Sequence, residues 1–152
     1  VELVFDQGLG DLFVIRIAGN VVSPSQIGSV EFAVEKFGTR LVVVMGHTLC
    51  GAVEATIEEI IQPAGGERSG HLHSIVSRIR PAVEPLLETE LAADPAALME
   101  KATRANVRYA TNHLRHGSEI LEHHVQKSEL LIVGAEYSLE TGAVDFFDGL
   151  PG

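Results

Sequence analysis

Two stretches of the chain are apolar and rich in β-branched residues, Leu41-Val42-Val43-Val44-Met45 and Leu130-Leu131-Ile132-Val133, and a glycine follows each, Gly46 and Gly134. Short unbroken apolar runs predict strands buried on both faces, as in a parallel sheet. Elsewhere the period changes. Ile27, Val30, Ala33, Val34 and Phe37 recur at helical spacing, so a helix is predicted from the Ser23-Pro24-Ser25 cap to Phe37, stopped by Gly38. A helix over 52–61 follows the first run. Another is expected over 72–80, ending near Pro81, with Pro85 interrupting what comes next. Asp94-Pro95 opens a long helix over about 95–115 that Gly117 ends, and 118–126 reads as a short one. Leu12-Phe13-Val14-Ile15-Arg16 is a short strand candidate, entered by Gly8-Leu9-Gly10-Asp11 and left by Ala18-Gly19-Asn20. Pro63 to Gly70 reads as a surface loop, and Tyr137 to Phe147 as a hairpin around Glu140-Thr141-Gly142. Strands alternating with helices predict an α/β fold: a mostly parallel β-sheet flanked by helices. The 152 residues are expected to form a single domain, 1–152.

Composition narrows the function classes. Hydrophobic residues are 45% and charged residues 21%, the profile of a folded chain. There are 21 Asp and Glu against 11 Lys and Arg. No basic cluster exists to neutralise phosphates, so neither nucleic acid nor an anionic membrane is expected as partner. The single cysteine rules out an internal disulfide framework and predicts a reducing, cytoplasmic setting. No apolar run approaches the ~20 residues of a membrane span, and no signal peptide is visible. The chain starts without Met, on Val1-Glu2-Leu3-Val4-Phe5. That reads as the interior of a domain, so upstream residues are expected to be missing.

The candidate chemistry sits after the first apolar run. Gly46-His47-Thr48-Leu49-Cys50-Gly51 carries an imidazole and the only thiol to the end of a strand. In open parallel sheets, ligands bind beyond the carboxyl ends of the strands. Both groups are zinc ligands, but two ligands do not complete a site. The plainer reading is a buried thiol beside a strand-end histidine bonded to backbone. Among the other histidines, His113 and His116 are spaced for one helix face, His123 and His124 are adjacent, and His71 and His73 flank a loop–helix boundary. These are expected to be surface groups titrating near neutrality, with nothing to select one as a proton relay. Glu58-Glu59 reads as a solvated helix face. Gly8-Leu9-Gly10 lacks the preceding strand and following helix of a dinucleotide site.

Phe5-Asp6-Gln7-Gly8 through Arg16, then Ala18-Gly19-Asn20, Ser29 to Val34, Gly46 to Ala52, and Val133-Gly134-Ala135-Glu136-Tyr137 with Thr141-Gly142, taken together in this order, resemble the β-class carbonic anhydrases. The resemblance implies a zinc enzyme that hydrates carbon dioxide to bicarbonate and a proton, working as a homodimer or homotetramer. It makes His47 and Cys50 two of the zinc ligands and gives the Gly51 N–H to a bound anion, where a plain helix-start glycine is an equally good reading. It places Phe13, Ala18 and Phe32 on an apolar carbon dioxide pocket at a subunit boundary, where core packing is the simpler reading for each. Phe32 stands where many members carry Tyr. Arg16 and Tyr137 match a position pair that is regulatory in some members, binding bicarbonate, and structural in others. The family's Cys-x-Asp-x-Arg motif, with a further zinc ligand and the catalytic Asp-Arg pair, has no counterpart here, and neither has the central strand before it. Two competing functions follow: a truncated, metal-poor scaffold or bicarbonate-binding relative, and a zinc hydrolase of carbon disulfide or carbonyl sulfide.

Overall fold

Backbone polar groups need partners, and where they find them sets the architecture. The computed structural model describes residues 1–63 and 70–151. The predicted loop at Pro63 to Gly70 therefore lies almost wholly outside the described residues. A single helical turn, α1 (Glu2–Phe5), is followed by an extended segment over 13–17 and a 3-10 turn, Ala18–Asn20. Then come α2 (Pro24–Phe37), β1 (Leu41–His47), α3 (Gly51–Ile61) and α4 (Gly70–Leu87). After a second 3-10 turn, Glu90–Ala93, the chain forms α5 (Pro95–His116), α6 (Glu119–Gln126), β2 (Leu131–Tyr137) and β3 (Val144–Asp148).

The sheet is small and mixed, in the order β1-β2-β3. β1 and β2 run parallel, in register from Leu41 opposite Leu131 to His47 opposite Tyr137. β3 returns antiparallel, with an irregularity at Gly134/Ala135. The hairpin around Glu140-Thr141-Gly142 is present as expected. Three expectations need correction. Residues 12–16 join no ladder with a described strand. Strand structure needs a neighbour, and apolar alternation alone does not provide one. β1 is not buried on both faces: only Val44 and Gly46 are buried, while Val43, Met45 and His47 on the other face are half-buried. Nor does the helix end at Pro81: α4 continues through both Pro81 and Pro85. Both prolines are exposed and lie four residues apart on one face, where water can serve the carbonyls they leave unbonded. The opposite face, Val76, Ile79 and Val83, is buried and holds the helix together.

The termini of α5 follow their chemistry. Asp94 Oδ1 accepts from the Ala96 and Ala97 N–H groups at 3.1 Å each, and Pro95 occupies the first turn, where no donor is needed. α5 lies against both parallel strands and separates two apolar clusters. One joins Val30 and Val34 of α2, Val44, Val107, Leu114, Leu121 and Ile132. The other joins Cys50 and Val53 to Ile79, Val83 and Ala102. Three arginines of α5 then grip the β2–β3 hairpin. Arg104 Nε donates to Glu136 at 3.0 Å and its Nη2 to Asp145 at 2.5 Å. Arg115 Nη2 donates to the Ile132 carbonyl at 2.5 Å and to Asp148 at 3.0 Å. Arg104 and Arg108 both stack over Phe147, at 4.7 and 4.8 Å from the ring centre. None of the helices among the described residues is long and apolar enough to cross a membrane.

Candidate metal centre

β1 ends at His47, and α3 begins at Gly51 with Cys50 as its N-cap residue. Only Thr48 and Leu49 separate the two donors, and the turn is tight: Leu49 takes a left-handed φ of 56° and is 75% exposed. The turn is tied to the neighbouring strand through Thr48. Its N–H donates to the Tyr137 carbonyl at 3.0 Å, and its Oγ1 accepts from the Leu139 N–H at 3.0 Å. Thr48 was legible in the sequence only as a spacer. The signal for it was there, a β-branched hydroxyl residue beside a strand end, but its partners are 89 and 91 positions further on.

His47 Nδ1 lies 2.9 Å from the Thr48 carbonyl. A carbonyl can only accept, so Nδ1 carries the hydrogen and Nε2 holds the free lone pair. This is the arrangement in which metal-ligating histidines are commonly held. Nε2 has no hydrogen-bond partner among the described residues. Cys50 is buried at 4% exposure and free. The plainer reading of the pair is therefore also visible here: a backbone-bonded histidine and a buried thiol. Geometry leaves both groups with unused donor capacity, and a metal would use it. Among the described residues, no third His, Cys, Asp or Glu joins them in a group able to hold a metal. The pair fits zinc as half of a cage.

Gly51 is exposed, and a Cβ built there would meet nothing within 4 Å. Neither packing nor a positive φ within this chain calls for glycine at that position. The 3-10 turn lies alongside: a Cβ at Gly19 would come 3.1 Å from Ala52 Cβ and 2.6 Å from Ile79 Cδ1, so the turn packs on the start of α3 and the middle of α4. Ala18 is carried on this turn and is exposed. Phe13 and Phe32 are not core residues. Their rings meet each other at 6.4 Å and Phe37 at 6.0 and 5.5 Å, with exposures of 47% and 52% for the first two. Arg16 is exposed and contributes to holding the Glu2 carboxyl below its ordinary value, behind the backbone hydrogen bond that is the chief cause. Arg16 and Tyr137 share no hydrogen bond, and Tyr137 sits opposite His47 in the sheet. The other histidines lie on helices, and His116 is paired with Glu122 and His124 with Glu129. Glu59 is half-buried and not on a fully solvated face.

The model of the family described as carbonic anhydrase matches residues 1–144. The chain belongs to the carbonic anhydrase family. Carbonic anhydrase 2 of Mycobacterium tuberculosis is 35% identical over 141 residues, covering 93% of this chain and 65% of that protein. This carbonic anhydrase chain thus spans about 65% of the length of that curated relative. Its fold is that of the β class. The β-carbonic anhydrase CafA of Aspergillus fumigatus superposes with a TM-score of 0.83 at 24% identity, covering 99% of this chain and 70% of that one. Tetrameric β-carbonic anhydrases of Sordaria macrospora give 0.81 at 20% identity, with coverages of 96% and 73%.

Proposed function

We propose that this chain carries part of a zinc site for the reversible hydration of carbon dioxide to bicarbonate and a proton. One observation supports this most: His47, its tautomer fixed by the Thr48 carbonyl, and Cys50 stand at the two ends of one turn at the carboxyl end of β1. Nε2 of His47 and Sγ of Cys50 would hold the metal. When bound, zinc supplies Lewis acidity that makes a hydroxide nucleophile available near neutral pH. The chain's own residues do the rest. The Thr48 carbonyl keeps Nδ1 protonated and the ring oriented. The Gly51 N–H, unobstructed by a side chain, donates to the anion that forms. Ala18, beside the turn, gives the neutral substrate an apolar wall. The remaining donors and the Asp-Arg pair would come from residues outside this sequence.

The exposed Phe13, Phe32 and Phe37 support a second copy of the chain as partner, in a homodimer or homotetramer, with Phe13 and Phe32 at the subunit boundary. Arg16 and Tyr137 are assigned a structural or regulatory anion role only in such an assembly. The single thiol supports a cytoplasmic location.

The test is zinc content per chain together with carbon dioxide hydration followed by proton release. In a protein that also supplies those remaining donors, zinc near one per chain is expected, with His47→Ala and Cys50→Ser each losing most of it while the circular dichroism spectrum is kept. Removing zinc by chelation is expected to abolish hydration, and adding it back to restore it. Zinc unchanged in His47→Ala would overturn the assignment. A zinc-free chain that still binds bicarbonate would support the scaffold reading instead. Turnover of carbon disulfide in preference to carbon dioxide would support the hydrolase reading.

A further inference from the structure

A cavity of about 450 Å³ opens between the start of α2 and the facing sides of α4 and α5. None of His47, Cys50 or Gly51 lines it. Its size suits a small organic ligand, for which sites of about 300–1,000 Å³ are usual. The polar part of the lining is Ser23, Ser77, Arg78, Asn106, Tyr109 and His113, with no carboxylate. That is notable in a chain with 21 acidic residues against 11 Lys and Arg.

Arg78 is the anchor of the cavity. Its Nη1 donates to both the carbonyl and the Oγ of Ser74, at 2.6 Å each. These bonds fix the guanidinium plane and leave its other edge free. Arg78 makes no ion pair with a described residue, whereas Arg80, Arg104, Arg108 and Arg115 all do. A held, unpaired guanidinium is pre-organised for a planar two-oxygen partner. His113 adds a second nitrogen base on α5, its ring 6.4 Å from that of Tyr109. The floor is rigid: Asn106 is 2% exposed, and its Nδ2 donates to the Gly19 carbonyl at 2.8 Å and to Asn20 Oδ1 at 3.3 Å. The remaining wall, Val22, Ile27 and Ala110, is apolar.

We propose that this groove is a binding site for a small organic carboxylate with an apolar body, its carboxylate on Arg78 and its body against Val22, Ile27 and the Tyr109 ring. One fixed guanidinium matches one carboxylate. A phosphate dianion would find a single full charge and an apolar wall that does nothing for it. The site is separate from the metal turn and does not depend on zinc.

The experiment is a nuclear magnetic resonance titration of the chain with benzoate, acetate and inorganic phosphate. Benzoate is expected to shift the amides of Ser77, Arg78, Tyr109 and His113 saturably, and to bind at least about tenfold more tightly than acetate or phosphate. Arg78→Met is expected to weaken benzoate by about tenfold or more, with the circular dichroism spectrum unchanged. His47→Ala should leave benzoate binding as it was, which separates the groove from the metal turn. If Arg78→Met does not fold, Ser77→Trp, on an exposed position of α4, should abolish binding by filling the groove. Shifts centred on 47–52, equal affinity for phosphate and benzoate, or full benzoate affinity in Arg78→Met or in a folded Ser77→Trp would each overturn the proposal.

Discussion

Gly46 sets how closely the end of β1 can approach α5. A Cβ there would stand 2.7 Å from Val107 Cγ2 and 3.5 Å from both Asn20 Oδ1 and Thr103 Cγ2. Gly46→Ala must therefore move the strand end or the helix, at a cost of about 1–3 kcal/mol by urea denaturation. It is also expected to lower zinc affinity, because His47 is the next residue. Thr48→Val removes the acceptor of the Leu139 N–H while keeping the shape of the side chain. A loss of about 1 kcal/mol is expected in the same measurement. At this scale the sequence was informative about donors and silent about what holds them. His47 and Cys50 stand out because their types are rare and chemically distinctive. Asn20, Thr48 and Asn106 are common polar residues, and their roles come from partners far away in the chain. For Phe13 and Phe32, core packing was the simpler reading without the resemblance, because apolar character does not say whether a face meets its own chain.

The elements whose ends carry local chemistry were readable. α5 begins where Asp94 caps it, and Asp94→Ala is expected to cost about 1 kcal/mol in thermal unfolding, since two first-turn donors lose their acceptor. α2 runs from Ser23-Pro24 to Gly38, which takes a left-handed φ of 66° at the stop. Here a detail differs from expectation: the Ser23 hydroxyl turns to Gln26 Oε1 and does not cap the helix. α4 was less readable. Two internal prolines looked like breaks, but each falls on the solvent side, and the buried stripe outweighs the lost bonds. The segment over 12–16 failed in the opposite sense: its sequence has the pattern of a strand, and no ladder among the described residues takes it up.

Over the whole molecule, the β2–β3 hairpin is tied to α5 as well as to the sheet. Arg115 reaches both the Ile132 carbonyl and Asp148, which also accepts from Thr111 at 2.8 Å. Arg115→Met leaves Asp148, at 19% side-chain exposure, with only the longer pairing to Arg108 at 4.0 Å. A destabilisation of about 1–3 kcal/mol is expected by urea denaturation. Burial alone would lower the Arg104 pKa, but the hydrogen bond to Asp145 and the field of Glu136 outweigh it and raise it. A raised cation contributes below its unfolded pKa and is lost only above that range, so this clamp should not weaken between neutral and mildly alkaline solution. Phe32→Ser, on the exposed aromatic cluster, is expected to shift the chain to smaller species in sedimentation, if the cluster is where copies meet.

Cys50 is the chain's only sulfhydryl, and it lies shut inside the cluster beneath α3. A thiol-selective reagent can therefore add one mass increment at most, and only during moments when that corner of the molecule breathes. The rate of that single addition, with and without added zinc, reads the opening of one turn directly, with no engineered label.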